Sequence, residues 1–427
     1  MKYHFCKSHR LSICSGVKIE IWRKNLYVLW GTQFLAMIGM NLVVPFLPFY
    51  IRQLGVTDDD ALARWSGLIF AGPFITSFIA TPFWGKLGDK YGRKLMVVRA
   101  IFGLGIAQIL IGFSPNVYLF FTFRVLQGII SGFLASAIAL VSTSTPKERM
   151  GYALGFLQSA TAGGTMLGPF IGGVLADTIG YRPIFFIVAG LCIVGGFVVM
   201  KFVQETQPTS HEGTSSSVLE NVKYMFSNAQ LRITAFTIIL VQASALMIEP
   251  IFALYIEQFA ADTKYIATLA GGVFSIAGVF MVISSPWWGK RNDRMGFKQN
   301  LILATTGTGV AYSLHLIVPN LYLLVLLRAL LGFVRGGILH ALYSVISLRS
   351  PANRKSGLIG IASSLNVFGN MIGPLIGGTI AAQFGIMSVF IVNSMLFLST
   401  SLLMWKYFAD DSSAKTVKVS EAVEIPD

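Results

Sequence analysis

The chain has 427 residues, of which 54% are hydrophobic and only 12% charged, against roughly 25% charged in an ordinary soluble domain. With a mean hydropathy of +0.68, this composition excludes a soluble globular domain and implies an integral membrane protein in a lipid bilayer. The net charge of +14 does not mark a nucleic-acid binder, because the bases sit in short connectors between apolar runs.

Residues 1–24 read as a basic cytosolic tail, without the apolar core and small-residue cleavage site of a signal peptide. His4, Cys6, His9 and Cys14 fit no metal-ligand spacing, and Cys192 lies in an apolar run. No metal, cofactor or disulfide framework is therefore expected. Twelve apolar runs long enough to cross about 30 Å follow. They are predicted near 26–51, 64–85, 95–114, 117–143, 151–176 and 182–203, then 232–256, 266–289, 299–318, 320–347, 356–382 and 386–407. The expected fold is all-α, with twelve transmembrane helices in two pseudo-symmetric six-helix bundles. The N-terminal bundle covers 25–203 and the C-terminal bundle 232–407. A Ser/Thr/Gly-rich cytosolic loop (204–231) joins them, and a cytosolic tail (408–427) ends the chain.

Charge sets the orientation. Of the 33 Lys and Arg, only Arg52, Arg64, Arg182 and Lys264 fall in connectors on the far side, and Arg124, Arg328 and Arg335 lie inside spans. The rest share the side of the two termini, which the positive-inside rule makes cytoplasmic.

Taken in chain order, span one contains "GMNLVVPFLPFYIRQLG", with Asn41, Pro45 and Pro48. After span two comes "PFWGKLGDKYGRK" (82–94). Its glycines allow a tight turn between helix ends, its bases hold that turn at the cytosolic face, and Asp89 is free to pair with an arginine or cap a helix N-terminus. Arg124 sits within span four, where an arginine must face a cavity or a partner. In span five, Gly164, Gly168 and Gly172 fall at four-residue spacing beside Pro169 and Gly173, forming one smooth face for a neighbouring helix. The same pattern recurs in span eleven at Gly369, Gly373, Pro374, Gly377 and Gly378.

Span seven holds Glu249, the one acid of 19 that lies well inside a span. It is eight residues from Glu257, hence about 12 Å deep, and Pro250 beside it predicts a bend. Arg328 in span ten lies at similar depth, so a Glu249–Arg328 contact is possible, and Arg335 is two turns deeper on nearly the same face. Burial favours a neutral carboxyl and a nearby guanidinium an ionised one, so opening to either side could switch such a group. His315, near the outer end of span nine, and His340, read as a packing residue, are weaker candidates. The opening loop then repeats 204 residues on as "PWWGKRNDRMGFK" (286–298), centred on Asp293. A duplicated six-span unit means a pseudo-symmetric transporter with its path between the halves. No hydrolase elbow or metal cluster points to an enzyme.

From residues 26 to 407 the chain resembles the major facilitator superfamily. The 82–94 loop, through Gly85, Asp89, Gly92, Arg93 and Lys94, is similar to its signature between spans two and three. That resemblance implies a conformational latch that stabilises the outward-facing state, with Asp293 in a weaker second copy, where Asn292 and Phe297 depart from the pattern. "RVLQGIISG" in span four resembles the arginine-centred motif of proton-coupled members and implies a proton-coupling role for Arg124 alongside Glu249 and Arg328. The span-five glycines with Pro169 resemble the antiporter motif, and Pro45 and Pro48 are placed as in twelve-span drug–proton antiporters. Spans one, four, seven and ten line the cavity in this superfamily, which implies that Asn41, Gln127, Phe252 and Arg335 face the substrate. The expected activity is export of a lipophilic or amphipathic small molecule in exchange for protons, by alternating access, from a monomer in a bacterial inner membrane. The alternative is proton-coupled or facilitated transport of a metabolite such as a sugar, phosphate ester or lysolipid.

Overall fold

The computed structural model describes residues 20–130, 132–205, 218–260, 263–351 and 354–408. The tails, with His4, Cys6, His9 and Cys14, and most of the connecting loop lie outside the described residues. Helices occupy all twelve anticipated span positions. Ten are long and apolar enough to cross a membrane by length and composition. The other two, Met150–Ile179 (span five) and Phe297–Leu314 (span nine), are enriched in Gly, Ser and Thr, as suits helices that touch other helices more than lipid.

The spans fall into two kinds. Spans two (Asp59–Tyr91), three (Arg93–Gly112), five, six (Tyr181–Phe202), eight (Ile266–Met295), nine, eleven (Lys355–Phe384) and twelve (Ile386–Tyr407) are continuous. Spans one, four, seven and ten are each broken. Span one runs Ile21–Asn41 and Leu47–Gln53 around a tight turn at Val44–Phe46, where Pro45 lacks the N–H that would continue the helix. Span seven runs Ala229–Met247 and Phe252–Ala260, broken around Glu249 and Pro250. Span four breaks between Val117–Ile130 and Phe133–Ser144 at Gly132, whose φ of +113° is left-handed. Span ten breaks between Leu321–Arg335 and Ile338–Arg349 at the Gly336–Gly337 pair. Proline thus interrupts one pair of related spans and glycine the other.

Consecutive continuous spans are joined in the shortest way available. Gly92, Gly180, Gly296 and Gly385, with φ from +80° to +98°, each serve as both the end of one helix and the start of the next. A Cβ would be strained in that conformation, so glycine fixes all four hairpins. An additional amphipathic helix, Val218–Ser227, precedes span seven. It buries Asn221 and Met225, leaves Val218 and Leu219 exposed, and reaches span eleven through Glu220 and Arg354 at 3.8 Å.

The loops 82–94 and 286–298 share one end of the bundle with residues 20 and 408, the first and last described. This end is called the basic face and the opposite end the distal face.

Candidate functional site

The halves meet through four continuous spans. Near the distal face, a side chain at Gly173 in span five would run into the Ala267 carbonyl of span eight, and one at Gly271 into the Pro169 carbonyl. The related pair does the same: a Cβ at Gly67 in span two would meet the Pro374 carbonyl of span eleven, and one at Gly378 the Ala63 carbonyl at 2.7 Å. Main chain therefore lies against main chain. The Phe170 N–H donates to Ser275 Oγ at 3.1 Å, and the Asp177 carboxylate at the end of span five accepts from Ala267 and Thr268 N–H at 3.3 and 2.7 Å. Asp177 thus caps the first turn of a helix in the other half, a contact of about 1 kcal/mol. Arg52 and Glu257 close the rim with two bonds of 2.8 and 3.2 Å. Both are partly exposed, so this pair adds less.

At the basic end of the same helices the packing is open. A Cβ at Gly85, Gly151, Gly155, Gly289 or Gly360 would meet nothing within 4 Å among the described residues. Here the ion pair of Asp89 is with Arg93, at 3.4 Å one turn away, and the carboxylate is mostly exposed. The arginine and Lys94 are held by another residue: Glu205, just after span six, accepts from Arg93 and Lys94 N–H at 2.7 and 3.0 Å and lies against Gly92. Arg93 also donates to the Ala139 carbonyl of span four at 2.8 Å. Neither Glu205 nor Asp177 stands out in the sequence, because each acts across ninety or more residues.

The second loop is built differently. Asn292 and Asn300 occupy the positions of Gly88 and Met96. Asn300 donates to Asn292 Oδ1 at 2.9 Å and to the Gly296 carbonyl, and accepts from Arg291 Nε at 2.9 Å. Asp293 is exposed. The departure from the first copy's pattern is therefore a hydrogen-bonded turn that replaces an apolar one.

Among the embedded charges, Arg124 is 8% exposed and donates to Gln127 Oε1 at 2.9 Å and, at 3.4 Å, to the Ile69 carbonyl. Glu249, at the break of span seven, is partly exposed. It forms no ion pair with Arg328 or Arg335, although both lie within electrostatic range. Arg328 instead rests on the Phe252 ring, 3.9 Å from its centroid, and near Phe274 at 5.3 Å. The Phe252 ring, expected to face the substrate, is in this structure fully buried under the guanidinium and packs edge-on to Phe274. Gln127 is likewise buried against Arg124, whereas Asn41 and Arg335 are partly exposed. His340 is exposed rather than packed, and His315 is fully buried.

The span-five motif serves packing on two sides. Gly164, Gly168 and Gly172 lie against Met37, Asn41 and Leu42 of span one, while Gly173 and Pro169 lie against span eight. Span eleven repeats this geometry: Gly369, Gly373 and Gly377 face span seven, and Gly378 faces span two. Both copies of the stripe therefore bear on a broken span and on the opposite half.

These arrangements match known proteins. The family model of the Major Facilitator Superfamily matches residues 29–305 and 234–424. The chain is 36% identical over 402 residues to multidrug resistance protein MdtG of Escherichia coli, an alignment covering 92% of this chain and 97% of that one. The human organic anion transporter MFSD10 superposes with a TM-score of 0.67 at 19% identity, over 90% and 99% of the two chains. A bacterial homolog of the human lysosomal transporter Spinster, inward-facing and occupied, superposes at 0.74 with 13% identity, over 91% and 97%. With paired broken and continuous spans in each half, and with family and relative matched along nearly its whole length, the chain belongs to the major facilitator superfamily.

Proposed function

We propose that the chain is a proton-coupled multidrug efflux transporter, exporting lipophilic or amphipathic small molecules by alternating access. The basic face is then cytoplasmic, both termini lie inside a bacterial inner membrane, and a monomer suffices because one chain holds both halves. On this reading, the clamped distal rim and the glycines facing open space at the basic end correspond to a state open toward the cytoplasm. The observation that carries the reading is Glu249: an embedded carboxylate at a helix break, partly exposed and flanked by two arginines without pairing to either. Such a group can exchange a proton with whichever side the cleft opens to. A drug entering from the cytoplasm takes the site as the proton leaves it. A proton arriving from outside, after the halves rock, displaces the drug outward.

Inverted vesicles test this. Adding drug to vesicles holding a pH gradient should discharge that gradient in the wild type. In Glu249→Gln, drug-induced proton movement should vanish while gradient-independent drug exchange persists. Proton-driven accumulation that survives Glu249→Gln would remove Glu249 from the role.

A further inference from the structure

The interior of the C-terminal half holds a set of buried polar groups, two of which have apolar counterparts in the N-terminal half. His315 in span nine is 0% exposed and places Nδ1 2.7 Å from the Ala311 carbonyl. A carbonyl only accepts, so Nδ1 carries the proton and Nε2 is left over. Nε2 has no hydrogen-bond partner among the described residues. The same is true of the Tyr312 hydroxyl, both amide atoms of Asn393 in span twelve, and Arg328 Nε. Tyr312 and Asn393 are also 0% exposed, and Arg328 is 3%.

These groups are neighbours. The Tyr312 and His315 rings are 6.0 Å apart, and His315 stacks on Phe390 at 5.2 Å, one turn before Asn393. Arg328 is within electrostatic range of His315, Tyr312 and Glu249. Tyr255, from span seven, donates to the His315 carbonyl at 2.7 Å.

A buried polar group without a partner is costly, so several together call for internal water. The internal repeat shows that the scaffold does not require two of them, His315 and Asn393, whereas Tyr312 matches the equally buried Gln108 and Arg328 matches Arg124. At the positions of His315 and Asn393, the N-terminal half has Ile111 and Val188, both buried in its core. The two groups without a polar counterpart, His315 and Asn393, belong to the half that carries Glu249. The polar set starts at the distal end of span nine, five residues before Asn320, and runs to the depth of Arg328.

We propose that His315, Tyr312 and Asn393 hold a hydrated branch through which a proton from the distal face reaches Glu249 without crossing the drug cleft. This rests on the reading of Glu249 given above. An exporter must protonate that carboxylate while a lipophilic drug still fills the cleft and excludes water from it. A branch inside one half removes the conflict. Each hop breaks one O–H bond and makes another, and the net result is one proton added to the Glu249 carboxylate. The Arg328 guanidinium, resting on Phe252, lies within electrostatic range of both His315 and Glu249.

The test is to give the C-terminal half its sibling's residues, as His315→Ile with Asn393→Val, in proteoliposomes. Thermal unfolding and gradient-independent drug counterflow should match wild type, while transport driven by a pH gradient falls roughly tenfold. His315→Gln, whose amide still binds water, should keep most of the driven rate. Tyr312→Phe, which removes a single hydroxyl, should lower it even if the double variant expresses poorly. Wild-type driven rates in the double variant, or in Tyr312→Phe, overturn the branch. So does a loss of counterflow in step with the driven rate, which would mark these side chains as structural. Absence of drug-induced proton movement in the wild type overturns the functional reading itself. Coupling that depends on Glu249 but ignores the other substitutions overturns the branch alone.

Discussion

The distal and basic rims of the same four helices are built on opposite principles. At the distal rim, glycines let carbonyls and Cα atoms of opposing helices touch, and Asp177 caps a helix across the divide. At the basic rim, the corresponding glycines face open space, and the acid expected to latch the halves, Asp89, pairs with its own neighbour Arg93. The distal clamp is close but thin. It uses few interlocked apolar side chains, a handful of hydrogen bonds and a partly exposed ion pair, so it can be undone at modest cost. The contrast also separates the two acids: Asp177 bonds across the halves, and Asp89 pairs within its own half.

The strongest way to break this contrast is Gly173→Leu. A side chain driven against the Ala267 carbonyl should cost about 1–3 kcal/mol of distal closure, a shift of roughly fivefold to 150-fold in population. Transport should collapse at matched protein level, and spin labels on the distal ends of spans five and eight should move apart. An unchanged label distance would show that the clamp does not depend on close approach. Gly155→Leu, in open space, should leave that distance alone.

Next in size is Asp89→Asn. Because the carboxylate pairs within its own half in this state, the variant should unfold at the wild-type temperature while transport drops several-fold, the latch being needed only when the basic rim closes. Asp293→Asn should do less, since Asn292, Asn300 and Arg291 already hold its turn. Equal losses from the two would erase the asymmetry between the loops.

Asp177→Asn weakens one cap of about 1 kcal/mol, and should favour distal opening about fivefold, read from the same label pair. The smallest effect belongs to Arg52→Gln. Its pair with Glu257 is about one-third exposed on both sides, so its influence should fade as salt is raised. An Arg52→Gln effect larger than that of Asp177→Asn would move the weight of the clamp from main chain to surface charge.

The helices, their order and the duplication were legible because hydropathy, glycine spacing and basic loops are local properties. So was the bend beside Glu249, since Pro250 announces it. The breaks in spans four and ten were within reach but unread. Gly132 and the Gly336–Gly337 pair look like packing glycines until their backbone angles are known. What the sequence concealed was partnership. Glu205 serves the 82–94 loop from more than a hundred residues away, and Arg328 prefers two aromatic faces over the acid at its own depth. Depth along a helix can be counted from residue numbers, but rotation about it toward Phe252 rather than Glu249 depends on how the whole bundle packs.

The glycine contacts also bear on how such a protein can change over time. Because much of the distal contact is peptide backbone, substitutions at neighbouring positions that leave the glycines in place keep that close approach. Side chains that do not touch these glycines can change while the backbone contacts keep their fit. The positions that can change least are then the ones with no side chain at all.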